Sequence, residues 1–182
     1  MTTTTAIDAG ALSTERTDLL DAFSTHRHFL ISTAQGLTDE QARRRTTVSE
    51  LTIGGIIKHV SSMEEMWSGF VLRGPDALRR EGRSFTEFTP DDWAAFAATF
   101  VLGPQESLDG VLARYAEVAR ATDAAISTAD LDQAWKVPEA PWAPAHEQTA
   151  RRTLLHLIAE TAQHAGHADI IREALDGKKS MG

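Results

Sequence analysis

Glu160, His164 and His167 fall within eight positions of one short stretch, "ETAQHAGHADI", in a chain that has only seven histidines. Carboxylate and imidazole side chains are the usual donors to a divalent metal and the usual carriers of a proton near neutral pH. The stretch reads as helix, where each residue advances about 100° around the axis. Taking His164 as zero, Glu160 lies at about −40°, His167 at about −60° and His156 at about −80°. Leu157, Ala168, Ile171 and Leu175 lie within about 40° of zero, so the polar arc borders the core-facing stripe. A carboxylate there costs several kcal/mol unless it is paired, hydrogen-bonded or bound to a metal. Glu160 and His164, four apart, stack on one face and can reach one ion. An ordinary polar i,i+4 pair on a wet helix is the plain alternative.

A partner donor comes from "LTIGGIIKHVSSMEEMWSGF", residues 51–70. His59 is a lone imidazole there, with Ile56, Met63, Met66 and Phe70 within about 60° of it. His59, Glu160 and His164 make a candidate site of three protein ligands with at least one open position, the pattern of catalytic rather than structural sites. The set suits Zn²⁺, Ni²⁺, Fe²⁺ or Mn²⁺. His167 is a fourth ligand, a base or a partner to a ligand.

These side chains need helices to carry them, and the periodicity is helical almost throughout, with no alternating strand pattern. Ser13 or Thr14 starts a helix that runs to about Gln35 and buries Leu19, Leu20, Phe23 and Leu30. "LTDEQARRR" is a short helix with Thr38 as cap and Gln41 at the capping-box position. Further helices are expected from about Thr52 to Arg73, from Pro90, from about Pro104 to Ser127, and from about Glu147 to Leu175. Residues 74–90 read as loop with a turn of helix. Residues 130–145, with three prolines and two tryptophans, read as a long irregular connection. The expected fold is all-α, an antiparallel four-helix bundle with long connections. Residues 13–177 form its single domain, between a tail at 1–12 and another at 178–182.

Composition narrows the function. A length of 182 residues suits one domain with a sizeable core. A formal charge of −8 argues against nucleic acid. No apolar run approaches a membrane span, and "MTTTTAIDAG" lacks the pattern of a secretory signal, so a cytoplasmic location is the default. There is no cysteine, which excludes disulfides, a thiolate nucleophile and Cys-ligated metal. Thiol chemistry would need a thiol from outside.

Other residues carry weaker signals. Trp67 is a packing residue or a contact for a bound small molecule. Trp135 and Trp142, in the proline-rich connection, are candidates for a pocket mouth. Arg43–Arg45 and Arg151–Arg152 are solvated charges or holders of a substrate carboxylate. His26 and His28 cannot share a helix face, and His146 gives no clear signal.

"IGGIIKHVSSMEEMW", residues 53–67, and "ETAQHAGHADIIREALDG", residues 160–177, resemble paired segments of the DinB-like superfamily, closest to its actinobacterial branch. The resemblance implies an antiparallel bundle with a long crossover between the second and third long helices. It also implies a divalent metal held by a His on the second and an H-x-x-x-H pair on the fourth. His59 matches the first ligand and His164 the last. Glu160 stands at the middle position in place of His, as in related thiol-dependent isomerases, and His167 stands where the family often has Gln. Members with an assigned activity mostly couple a low-molecular-weight thiol, mycothiol in actinobacteria, to an electrophile. The resemblance therefore implies a metal-dependent thiol S-transferase or related enzyme, with Zn²⁺ the first candidate ion. Mycothiol is its expected co-substrate, Glu160 or His167 its base, and Trp67 and Trp142 its small-molecule contacts. The alternatives are a metal-binding stress-response protein without turnover and a metal-assisted hydrolase. An exposed bundle face can support a homodimer.

Overall fold

The computed structural model describes residues 12–180. Residues 1–11 of the expected N-terminal tail, and 181–182 of the C-terminal one, lie outside the described residues. The helices are α1 (Thr14–Ser32), α2 (Asp39–Ala42), α3 (Ile53–Arg73), α4 (Pro90–Ala97), α5 (Leu108–Thr128) and α6 (Ala150–Asp176). Polar caps set their starts. Ser13, Thr52, Ser107 and Thr149 each accept a backbone N–H at the beginning of a long helix, and Thr38 and Gln41 form the expected capping box of α2.

Four long helices make an all-α bundle, and long-range contacts fix their directions. Arg16, early in α1, donates to the carbonyls of Ile126 and Ala129 at the end of α5. Arg172, late in α6, donates to the carbonyls of Thr33 and Gln35 just past α1. Ile53 and Ile56, early in α3, share a core cluster with Leu108 and Val111, early in α5, and with Ala168 and Ile171, late in α6. Hence α1 and α6 run one way, α3 and α5 the other. Because α3 and α5 are parallel, the chain between them must cross the length of the bundle, which is why residues 74–107 are long.

The crossover is 3₁₀ turns at Gly74–Leu78, Phe85–Glu87 and Ala98–Phe100, with α4 among them. Its return onto α3 depends on Gly54 and Gly55. A Cβ on Gly55 would stand 2.2 Å from the carbonyl oxygen of Phe100, and one on Gly54 would stand 2.7 Å from Leu102 Cδ2. The crossover therefore lies flush on the first turn of α3, by backbone at Gly55 and by the Leu102 side chain at Gly54. Arg43 also ties the crossover down, donating to the carbonyls of Gly103 and Glu106.

The structure corrects several expected boundaries. Regular α1 ends at Ser32 rather than Gln35, and α5 begins at Leu108 rather than Pro104. Residues 130–145 are not wholly irregular. Strands β1 (Ala134–Val137) and β2 (His146–Thr149) pair antiparallel, so α6 begins at Ala150 and not at Glu147. Each strand has four residues, too few to display an alternating pattern against a helical background. Thr149 ends β2 and caps α6, so the hairpin is continuous with that helix.

Candidate metal centre and its cavity

The seam between α3 and α6 brings together the three residues expected from spacing. His59, Glu160 and His164 each offer a donor atom, and these atoms all lie within 4.8 Å of one another. His164 Nε2 is 3.4 Å from Glu160 Oε2, and the His59 and His164 ring centroids are 5.1 Å apart. One ion with bonds of about 2.1 Å needs donors no more than about 4 Å apart, so the side chains need close by less than about 1 Å.

The state of the His59 and His164 rings fits a cation. Their Nδ1 atoms are buried without a hydrogen-bond partner, and on His164 it is Nε2 that faces Glu160. Burial pushes His59 down to about 4, aided by His164, and burial also lowers His164 against the pull of Glu160. Both rings are thus held neutral, the form that ligates. Two imidazoles and one carboxylate suit the divalent ions named above.

Phe100 fixes the plane of His59, stacking at 3.8 Å between centroids with 18° between the planes. The glycines one turn before His59 allow that approach. Nothing in local spacing joins positions 59 and 100, so the sequence reading missed this contact. His167 stands beside His164, with centroids 5.6 Å apart, but outside the three-donor group. Its Nδ1 is also buried and unpartnered.

The donors open on a cavity of about 660 Å³, lined by His59 and Glu160 at one end. Met63, Met66 and Trp67 of α3, Phe85 and Phe96 of the crossover, and Trp142 of the hairpin form its apolar wall. Trp142 packs on Phe85 and Phe96 at 5.2 and 6.5 Å and keeps 61% of its surface exposed, so it stands where the cavity meets solvent. Trp135 does not line this cavity; it packs on Gly74, where a Cβ would come within 2.8 Å of the indole. His156 reaches the cavity, with Nε2 3.9 Å from Glu160 Oε1 and its ring edge-on to Trp67. The arginines of the two clusters divide. Arg43 is structural, Arg45 pairs with Glu50, and Arg151 pairs with Glu15 and Asp132, whereas Arg152 lines the cavity.

The histidines give a pH prediction for metal-free protein. As pH falls, the unfolded chain protonates His59 near 6.5, while the folded ring stays neutral to about 4. The unfolded state then binds more protons, so stability falls through this window as pH drops. The loss is of the order of a few kcal/mol. Urea midpoints should be clearly lower at about pH 5 than at about pH 7.5, with a flatter dependence in His59→Gln. An equal pH dependence in the variant would sink the assignment.

Among the described residues no helix is long and apolar enough to cross a membrane. A comparison with curated proteins finds no match. The family described as mycothiol-S-transferase matches residues 18–177, which takes in all four long helices from Asp18 on and both halves of the donor cluster. This agrees with the DinB-like resemblance of the two motifs. The chain belongs to the mycothiol-S-transferase family.

Proposed function

We propose that the protein transfers a low-molecular-weight thiol, mycothiol first among them, to an electrophile, at a divalent metal held by His59, Glu160 and His164. The observation that carries this reading is the convergence of those three donors beside a largely apolar cavity that His59 and Glu160 line, in a member of this family. When bound, a divalent ion, Zn²⁺ being the first candidate, supplies Lewis acidity that lowers the pKa of a thiol.

The chain's own residues do the remainder. His59 and His164 enter as neutral donors, the first locked in plane by Phe100. Glu160 offers Oε2 on the His164 side and Oε1 on the His156 side. Oε1 takes the thiol proton, and the exposed His156 passes it toward solvent. The sulfur then bonds to the electrophilic carbon as the leaving group departs with its bonding pair. Glu160 is preferred to His167 as base because Glu160 lines the cavity and His167 does not. His167 positions the His164 ring beside it. Trp67, Trp142 and the phenylalanines hold the reactants and thin out water around the sulfur.

The test is consumption of an electrophile such as a bromomethyl-arene by metal-loaded protein, with and without mycothiol. Loss that depends on both metal and thiol, with a thioether product, is the expected result. Turnover without thiol would replace this reading with metal-assisted hydrolysis. Tight metal binding without turnover of any electrophile would replace it with a binding role.

A further inference from the structure

Arg152 is the one arginine among the cavity-lining residues. Its backbone N–H bonds to the cap Thr149, but its guanidinium has no hydrogen-bond or ion-pair partner among the described residues. Its neighbour Arg151 is fully engaged with Glu15 and Asp132. The difference is not one of local sequence; the two side chains leave the same turn of α6 in different directions.

The other basic group near that end is committed. His146 places Nδ1 3.1 Å from the Pro144 carbonyl and Nε2 3.3 Å from Gln148 Oε1. Gln148, buried, is held in turn by donating to Thr153 Oγ1 at 3.0 Å. The first turn of α6 contains no acidic residue, and a cation there is opposed by the helix dipole. The same dipole adds to the positive potential that an anion would meet. The cavity thus has an uncommitted guanidinium at one end, the metal donors at the other, and an apolar wall between. Eight residues of helix separate Arg152 from Glu160, about 12 Å along the axis.

We propose that the electrophile taken by this cavity is an elongated apolar or aromatic molecule bearing a carboxylate, and that Arg152 is the residue that selects it. The guanidinium fork holds the carboxylate. The apolar body lies on Phe85, Phe96 and Trp142, and the reacting carbon is directed toward the Glu160 end. This inference rests on the reading of the cavity as the place that holds the electrophile, but not on turnover.

The test uses inert ligands and metal-free protein, with no thiol present. Binding of 4-phenylbutanoate and of 4-phenylbutanamide is followed by emission of the tryptophans at the cavity. The carboxylate should bind at least about fivefold more tightly than the amide, a modest factor because Arg152 is exposed. Arg152→Gln should bring that ratio to about one, and Arg151→Gln, which removes the same charge from the same turn, should keep it. A ratio near one in the unaltered protein, or one that survives Arg152→Gln, overturns the proposal, as does a failure of both ligands to bind. Because neither thiol nor metal enters, a carboxylate preference found without transferase activity would sink the transferase reading and leave the selectivity standing. Transfer to neutral and anionic electrophiles alike would do the reverse.

Discussion

His59→Ala and His164→Ala each keep the helical circular dichroism of the parent and lose metal affinity by more than about 100-fold. Each removes one of three donors, and neither ring supports the core through a hydrogen bond at Nδ1. Metal content after gel filtration, by elemental analysis, reads the effect directly. The proposed thiol transfer should fall with metal content and return only partly at high metal concentration. Glu160→Gln keeps the shape and removes the charge, so its affinity falls less than that of the histidine variants while the thiol's proton loses its acceptor. Two outcomes would be decisive against the ligand set. One is full metal content in both histidine variants; the other is an unchanged affinity in Glu160→Gln with a large loss in His167→Ala, which would make His167 the third donor.

The second large effect concerns stability, not the site. Glu64 is fully buried in the bundle, and Arg27 meets it through two hydrogen bonds, Nη2 to Oε1 at 2.5 Å and Nε to Oε2 at 3.2 Å. Arg27 also donates to the half-exposed Asp123 at 2.8 Å and lies over the Phe23 ring. Its charged form is held by those carboxylates against the cost of burial. Arg27→Met leaves the Glu64 carboxylate buried without its partner and should cost about 3–5 kcal/mol, while Glu64→Leu, which leaves Arg27 its bond to Asp123, should cost less. The double variant should recover much of that loss, because an apolar pair of similar volume avoids desolvation altogether. Urea unfolding at constant m-value measures all three. Single-variant losses below about 1 kcal/mol would mean that water or a shifted backbone relieves the pair.

Arg27 also shows where reading the sequence stops. It stands in "THRHF", between His26 and His28, and looks like part of a polar run. Its burial is decided by α3 and α5, which bring Glu64 and Asp123 to it from 37 and 96 residues away. By contrast, Glu160 and His164 were legible because their relation is one helical turn, which spacing encodes. His59 was legible because a lone imidazole on an apolar face and the motif around it pointed the same way. The helix starts were legible for the same local reason, since a cap needs only its own first turn. Phe100 on His59, Trp135 on Gly74, and the different fates of Arg151 and Arg152 are products of tertiary packing. The hairpin escaped because its pairing is local but its strands, four residues each, span only two alternations, too few to stand out from the helical background.

The site is divided between two kinds of structure. All three donors sit on helices whose placement is fixed by the core, while most of the aromatic wall comes from the crossover and the hairpin. Connections tolerate substitution and changes of length better than the elements they join. Substitutions in residues 74–107 and 130–149 can therefore reshape most of the aromatic wall while the donors on α3 and α6 stay in place. The donor set is tied to the helices, and the shape of the cavity is open to change through the connections, with Arg152 the polar exception carried on α6.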